Sequence, residues 1–226
     1  MFEKPNLLIE DIQTTSKGQS RFYHVGEEEF VSITSLLGHF TSQSIQEWRN
    51  KVGHKKADAI SREASSNGTA MHDTLELYLK GEQYEHKIKG IDQENQFHIM
   101  KEHLDEHLQD VWWQEIPLYS KRLRVAGRVD CVGIYDNVPT VIDFKTSRKP
   151  KKVEWIENYF LQATFYATAI YEMTGYKIED VSIIISVNKG EQVQIYKEKI
   201  KNWIEPLVQK VDQYRKDMEI ISAQYI

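Results

Sequence analysis

The second half of the chain alternates apolar and polar positions with the period of a β-strand. The segments with this pattern, or with a short apolar run bounded by turn residues, are 111–119, 124–135, 140–146, 181–187 and 193–197. Because successive side chains point to opposite faces of a strand, such segments are expected to bury at least one face. The first three are predicted to be consecutive antiparallel strands, and a turn at Lys189 and Gly190 is predicted before the last.

The first half of the chain follows the helical period instead. Helical periodicity begins near Ser35, and the predicted helical segments are 45–52, 55–66, 69–80 and 91–108. Asn67 and Gly68 are expected to break the helix that precedes them, because both residues favour turns. Thr69 is expected to cap the helix that follows. The pattern therefore predicts a lobe of several separate helices.

Two short strands are predicted before this lobe. They lie at 21–25 and 29–33, on either side of Gly26, and together indicate a hairpin. Residues 1–20 are expected to be weakly structured.

Two further helices alternate with the strands of the second half. They are predicted at 158–173 and 200–220, with Pro206 near the first turns of the second. The fold class that follows is α/β (an α+β mixed sheet), with a central mixed sheet flanked by helices and an N-terminal helical lobe. We expect residues 1–110 to form the hairpin and helical lobe and residues 111–226 the core, within one compact unit.

The charge balance narrows the class of partner. A formal net charge of −5 excludes a generally basic protein that coats nucleic acid. Two local clusters of basic residues remain, at Lys121, Arg122, Arg124 and Arg128, and at Lys145, Arg148, Lys149, Lys151 and Lys152. Either cluster fits a phosphate backbone, and either also fits an ordinary solvated surface.

Several functions are excluded by what the sequence lacks. Cys131 is the only cysteine, so an intramolecular disulfide and a four-cysteine zinc or iron–sulfur site are impossible. The sequence has no Walker-type loop for ATP, no membrane-spanning apolar run, and no secretory or mitochondrial leader at residues 1–11. We therefore expect a cytoplasmic protein.

Candidate chemistry concentrates between Gly127 and Thr146. Asp143 and Lys145 project from one face of their strand, whereas Ile142 and Phe144 between and beside them project into a core. A turn at residues 136–139 brings the preceding strand back as a hairpin neighbour, which places Asp130 beside Asp143. Two carboxylates suit a hard divalent cation, Mg²⁺ or in its place Mn²⁺.

Each of these residues also has an ordinary structural explanation. Asp130 is able to form a salt bridge with Arg128, and Lys145 is able to extend to solvent from the end of its strand. Asp143 is harder to explain in this way, because an unpaired carboxylate in an apolar strand is costly. If Lys145 acts in catalysis, two roles fit: stabilising negative charge in the transition state, or orienting and deprotonating an attacking water.

Four short motifs resemble the PD-(D/E)XK nuclease superfamily in its RecB-like branch. In chain order they are 68–72 (Gly-x-x-x-His), 127–130 (Gly-Arg-Val-Asp), 142–146 (Ile-Asp-Phe-Lys-Thr) and 162–166 (Gln-x-x-x-Tyr). Within the branch the chain is most similar to the mitochondrial genome maintenance exonuclease family and its phage relatives. Each motif is weak alone, but the four in this order, across roughly residues 68–187, are specific.

The resemblance implies roles for particular residues. The implied metal-contacting residues are Asp130, Asp143, Phe144 and His72, and the implied catalytic residues are Asp130, Asp143, Lys145 and Glu115. The implied substrate-binding residues are Gln162, Tyr166, Arg128, Thr146, Ser147, Trp48 and Arg49. Three alternatives stay open: His72 as a core histidine, Glu115 paired with Arg124 or Arg128, and Tyr166 as simply core. Glu76, one turn below His72, is a weaker candidate for water-mediated metal contact, and Trp112 and Trp113 are further candidates for base stacking.

The function that the resemblance implies is a metal-dependent DNA exonuclease acting on single-stranded or frayed ends. It would serve DNA replication, recombination or repair, beside other proteins of those processes, without ATP, an iron–sulfur cluster or a membrane. The alternatives are a flap or junction endonuclease, a nuclease-fold module that only binds nucleic acid, and an enzyme that cuts RNA.

Overall fold

The computed structural model describes residues 2–7, 10–188 and 191–224. Within these ranges the strands are β1 (Thr14–Lys17), β2 (Ser20–Val25), β3 (Glu28–Ser32), β4 (Leu108–Ser120), β5 (Val125–Tyr135), β6 (Val138–Ser147), β7 (Asp180–Val187) and β8 (Gln194–Lys199). The helices are α1 (Ile33–Val52), α2 (His54–Lys80), α3 (Ile91–His107), α4 (Glu157–Thr174) and α5 (Ile204–Gln224). This order confirms the predicted mixture of helices and strands.

The eight strands form one mixed sheet. Its order is β1-β2-β3-β5-β6-β7-β8, and β4 pairs with β5 off this path. The strands β4, β5 and β6 are consecutive antiparallel neighbours, as predicted, whereas β3 pairs with β5 and β7 with β6 in parallel. The predicted mixed sheet flanked by helices is therefore confirmed.

One edge of β5 is shared by two different strands. Because β4 pairs along one edge of β5, both β3 and β6 must use the other edge. The strand β3 pairs at residues 125–126 and β6 at residues 131–135. Residues 127–130 lie between them without a strand partner on that edge in the described part of the chain. The sheet therefore has an opening in its middle, and the candidate residues surround it.

Helices cover both faces of the sheet. Val141 and Ile183 point into a cluster with α1, α4 and α5, and the next residues along the strands, Ile142 and Ile184, point into a second cluster with α2 and α3. Cys131 and Phe144 belong to the second cluster. This alternation confirms that the residues beside Asp143 face a core.

The β5–β6 hairpin turns as the sequence indicates. Asp136 and Asn137 both have positive φ, 46° and 65°, which the primed two-residue turn of a hairpin requires and which Asn and Asp tolerate. This turn fixes the register of the hairpin, in which Cys131 lies opposite Ile142.

Two predicted boundaries are wrong. The helix α2 runs without interruption through Asn67 and Gly68, so those residues do not break it and Thr69 does not begin a new one. A glycine inside a helix costs only about 1 kcal/mol, which the packing of Met71 and Leu75 outweighs. The last helix begins at Ile204 rather than at residue 200, and the predicted Lys189-Gly190 turn lies outside the described residues.

The N-terminal segment is more ordered than expected. The strand β1, within the part predicted to be weakly structured, pairs with β2 and extends the sheet. The division at residue 110 stays a prediction, although β3 and β5 join the two parts in one sheet. No helix among the described residues is long and apolar enough to cross a membrane.

Candidate active site

Three carboxylates lie at matching positions on three adjacent strands. The β4–β5 register pairs Gln114 with Cys131, which places Glu115 opposite Asp130. The β5–β6 pairing ends with Cys131 opposite Ile142, and Asp130 and Asp143 are the next residues on the two strands. Neighbouring strands in a sheet are about 4.8 Å apart, so the three acids form a row beside the opening in the sheet.

Asp130 is held at the centre of this row. Its Oδ2 atom accepts a hydrogen bond from the backbone N–H of Phe144 at 2.8 Å. Its Oδ1 atom lies 3.5 Å from Nδ1 of His72, which reaches the opening from α2. Among the described residues, Asp130 pairs with His72 and not with Arg128.

Glu115 has an unusual backbone for a strand residue. Its φ of 49° lies in the left-handed region, which is uncommon for residues other than glycine. Arg128 donates from Nη1 to the backbone carbonyl of Glu115 and so holds this conformation. The Oε1 atom of Glu115 lies 3.6 Å from Nδ1 of His72. A strained residue that aims a carboxylate at other titratable groups is typical of functional sites.

The basic residues near Glu115 are paired elsewhere. Arg124 lies 3.0 Å from Glu28, and Arg128 lies 2.5 Å from Asp11. Neither guanidinium therefore neutralises the carboxylate of Glu115, which leaves that carboxylate available to the site.

Asp143 and Lys145 form a close ion pair in the interior. Nζ of Lys145 lies 2.5 Å from Oδ2 of Asp143, and the side chain of Asp143 is only 1% exposed. Neither carboxylate oxygen of Asp143 accepts a well-oriented hydrogen bond from a described residue. The ring of Tyr159, on α4, lies 5.1 Å from the same Nζ atom.

The charged groups of the site change one another's pKa values. Burial raises the pKa of Asp143 to about 6, against the opposing effect of Lys145. Burial would lower the pKa of Lys145, but Asp143 and Asp130 outweigh it and raise that pKa. Burial would also lower the pKa of His72, but Asp130 and then Glu115 outweigh burial and raise that pKa to about 9. Lys145 and His72 are therefore cations at neutral pH.

The helix α4 presents the fourth motif to the same opening. Nε2 of Gln162 donates to the hydroxyl of Tyr166 at 3.2 Å, as their spacing of one helical turn permits. The ring of Tyr166 is buried and packs against Gly127, where an added Cβ would lie 2.8 Å from its Cε1 atom. The glycine of one motif therefore makes room for the tyrosine of another.

These groups line one groove, here called the active-site groove. Its volume is about 560 Å³. The wall-forming residues that matter for the chemistry are His72, Glu115, Asp130, Lys145, Gln162 and Tyr166. Glu76 also lines the groove, while its carboxylate pairs with Lys80 at 2.5 Å.

A divalent cation fits this donor set. The ligand atoms of His72, Glu115 and Asp130 all lie within 4.8 Å of one another. Asp143 is not part of that group, but its buried oxygens have lone pairs that no described hydrogen bond uses. Two or three carboxylates with one imidazole suit Mg²⁺ or Mn²⁺.

Other candidates lie apart from the active-site groove. Arg49 forms an ion pair with Asp58 at 2.5 Å, and Ser147 donates to the carbonyl of Lys149. Trp48 and Thr146 do not line the groove either, so the roles of these four candidates stay predictions. Phe144 contributes its backbone N–H to Asp130 while its ring is buried in the core.

The expectation that Trp112 and Trp113 stack on bases is wrong. They are 2% and 8% exposed and belong to the main core, at a point where the β4–β5 register shifts between Val111 and Trp113.

The structure also draws attention to three residues that the sequence did not single out. Tyr159 lies beside Lys145, Arg21 lines the active-site groove, and Trp155, which follows β6, is 63% exposed. Only Trp155 carried a sequence signal, since it follows the basic residues 148–152.

Comparison with known proteins identifies the family. The comparison with curated proteins found no match. The crystal structure of SSO0001 is similar at 16% identity, covering 85% of this chain and 78% of that chain, with a TM-score of 0.45. The family model of the PD-(D/E)XK nuclease superfamily matches residues 46–224, which is most of the chain and includes all four motifs. The chain therefore belongs to the PD-(D/E)XK nuclease superfamily.

Proposed function

We propose that this protein is a metal-dependent DNA exonuclease that hydrolyses phosphodiester bonds at single-stranded or frayed ends. Membership of the superfamily implies a nuclease that uses divalent metal ions and acts on nucleic acid. The observation that carries the proposal is the row of Glu115, Asp130 and Asp143 beside Lys145 at the opening in the sheet. Such a concentration of buried charge costs stability, and a protein without catalytic use for it has no physical reason to keep it.

Asp130, Glu115 and His72 would hold the cation, with Asp143 next to them in the row. When bound, the cation supplies Lewis acidity towards a phosphate oxygen and towards water. Because the pKa of His72 is raised, its imidazole would have to give up a proton in order to act as a ligand.

Lys145 is suited to holding negative charge on the phosphate. Its raised pKa keeps it as an ammonium at neutral pH, which favours charge stabilisation over the removal of a proton from water. Asp143 and the ring of Tyr159 orient its Nζ atom from two sides. Gln162 and Tyr166 complete the wall on which a phosphate or sugar would rest.

The surroundings of the active-site groove support the proposed preference for strand ends. The active-site groove is bounded by the β2 strand at Tyr23, by α1 at Thr34 and by α2 at Gly68, in addition to the sheet. A strand with a free end enters such a groove more easily than a closed circle or a rigid duplex does. This arrangement and the four motifs also support kinship with the mitochondrial genome maintenance exonucleases and their phage relatives, and a role beside replication or recombination proteins.

The test is digestion of end-labelled linear single-stranded DNA with Mg²⁺, beside a covalently closed circle of the same sequence. We expect loss of the linear DNA only, abolished by chelator and lowered at least about 100-fold by Lys145→Ala. Lys201→Ala, which removes an exposed lysine away from the groove, serves as the matched control.

The other outcomes discriminate among the alternatives. Digestion of the circle would replace the exonuclease by an endonuclease. Equal digestion of a matched RNA would change the substrate class. Intact DNA with both Mg²⁺ and Mn²⁺, together with tight DNA binding, would leave a binding module.

A further inference from the structure

A second groove lies next to the active-site groove and is the larger of the two. It has a volume of about 910 Å³ and lies between the β1–β2 hairpin, α1 and the C-terminal part of α5. We call it the hairpin groove. Arg21 and Thr34 line both grooves. The two grooves therefore adjoin at Arg21 and Thr34.

The walls of the hairpin groove are polar and carry no acid. Among the described residues that line it there is neither Asp nor Glu, although the chain has 34 acidic and 29 basic residues. The lining side chains are mainly hydroxyls, amides and the basic groups of Arg21, Arg49, His39 and His54. A wall of this kind in a protein with net negative charge favours a polyanion.

The basic groups differ in how freely their charge is available. The charge of Arg49 is partly neutralised by Asp58 at 2.5 Å, and the ring of His39 is already engaged by Asp217 at 2.8 Å. Arg21 forms no salt bridge with a described residue, and it stands where the grooves meet. The strongest attraction for a phosphate is therefore at the junction.

From these features we infer that the hairpin groove binds the sugar–phosphate backbone of the strand whose end lies in the active-site groove. This inference rests on the proposed function and adds the path of the substrate. Phosphate contacts of this kind position a strand without reading its sequence. Ile45, which is 49% exposed on the same wall, offers an apolar surface to a sugar or base.

Gly38 allows the groove's charge to be changed without disturbing the fold. It lies on the groove wall within α1, and a Cβ added there meets no atom within 4 Å. Gly38→Glu and Gly38→Gln have the same shape and differ by one charge, and Gly38→Lys reverses the sign. Each replacement also removes a helical glycine, which favours folding.

The measurement is the Kd of labelled oligothymidylates by fluorescence anisotropy, in an Asp143→Asn background that keeps the strand whole. For a strand of about 20 nucleotides at low salt, we expect Gly38→Glu to bind about fivefold more weakly than Gly38→Gln, and Gly38→Lys more tightly. A strand of about four nucleotides, too short to fill both grooves, should discriminate less. Gly38→Glu should also flatten the dependence of log Kd on log salt by about 0.7 for each phosphate that the variant no longer binds.

A matched control isolates the local effect from net charge. Lys201→Gln lowers the net charge by the same single unit at an exposed position that lines neither groove. If it weakens binding as much as Gly38→Glu does, the effect is general repulsion and the inference fails. If a mononucleotide is as sensitive to the Gly38 pair as the long strand is, the groove is a nucleotide site and not a strand path.

Digestion assays with the unmodified protein separate the strand path from the exonuclease activity on which it rests. If the protein digests the long strand but Gly38→Glu and Gly38→Gln bind every length equally, the strand path is overturned and the exonuclease stands. If it neither binds nor digests any oligonucleotide, both are overturned.

Discussion

Gly127 faces the ring of Tyr166 so closely that the two positions depend on each other. An added Cβ would lie 2.8 Å from Cε1 of Tyr166 and 3.0 Å from Cγ2 of Ile33. All three residues are buried or border the core, so none moves aside without disturbing α1 or α4. At the scale of single residues, the motif at 127–130 and the motif at 162–166 are therefore joined by a packing contact.

Gly127→Ala is expected to lower the free energy of unfolding by about 1 to 3 kcal/mol, because overpacking forces the ring of Tyr166 to shift. Gly68→Ala is the matched control. A Cβ at Gly68 meets no atom within 4 Å, so that change should raise stability by about 0.5 to 1 kcal/mol. Urea unfolding measures both. Equal effects of the two substitutions would contradict the close contact at Gly127.

At neutral pH, the buried carboxylate of Asp143 lowers the stability of the fold. Its folded-state pKa of about 6 lies above the ordinary value of 3.8. The protonated carboxyl therefore contributes stability that is fully present below pH 3.8 and is lost as pH rises through 6. At neutral pH, with chelator, Asp143→Asn should therefore raise the free energy of unfolding by about 1 to 3 kcal/mol. The same change should abolish hydrolysis. A variant less stable than the unmodified protein in chelator would show that the pair with Lys145 outweighs the cost of burial.

At the scale of elements, α3 meets the β5–β6 hairpin through a pair of histidines. The rings of His103 and His107 stack at 4.3 Å. Nε2 of His103 lies 2.7 Å from the hydroxyl of Tyr135, and Nδ1 of His107 lies 2.7 Å from Asp136 in the hairpin turn. Lys197, on β8, also pairs with Asp136. This cluster fastens one end of the sheet to a helix far along the chain.

The cluster makes stability depend on pH. Burial, and then the charge of His107, lower the pKa of His103 to about 4 from 6.5. The stabilising contribution is therefore present above pH 6.5 and is lost as pH falls towards 4, because the unfolded chain takes up a proton that the folded chain refuses. We expect a loss on the order of 2 kcal/mol over this window, measured by urea unfolding. Parallel pH profiles for the unmodified protein and His103→Gln would contradict this assignment.

Elements with a strong local signal could be predicted from sequence, and elements fixed by distant contacts could not. The alternation around Asp143 and the turn at Asp136 and Asn137 are local properties, and both are confirmed. The break predicted at Gly68 failed because tertiary packing outweighs a small local cost. The strand β1 was missed because all four of its residues are exposed, which leaves no apolar alternation to detect.

At the scale of the whole molecule, the sheet and both helical layers depend on one another. Residues 111–226 supply most of the sheet, but α2 and α3 from the first half cover Ile142, Phe144 and Ile184. The strand β3 also pairs with β5. The N-terminal part therefore covers one face of the core and also borders the active-site groove.

A fragment of residues 111–226 should consequently fail to fold alone, since it exposes the apolar face that α2 and α3 cover. We expect no cooperative thermal transition and strong binding of a hydrophobic dye, and we expect co-expression with residues 1–110 to restore a single transition. The full chain is the control. A sharp transition for the fragment would show that the division at residue 110 separates independent domains.

The candidate site divides in the same way between local and global information. The motifs identified Asp130, Asp143 and His72, and the structure brings the first and last within 3.5 Å. The hairpin groove was invisible, because Arg21, Arg49 and Tyr214 meet only after the chain has folded. Sequence therefore identifies the candidate ligands better than it identifies the grooves around them.

Cys131, next to Asp130, is placed to act as a probe of how often the β5–β6 hairpin separates from the helices that cover it. Its thiol is fully buried in the α2–α3 side of the core, and burial raises its pKa far above the ordinary value. It is the only cysteine in the chain, so alkylation has a single possible target. The rate of alkylation should therefore measure how often the β5–β6 hairpin separates from α2 and α3, and a bound metal ion should slow it. An enzyme with this arrangement should also keep its activity under oxidants that disable nucleases with exposed thiols.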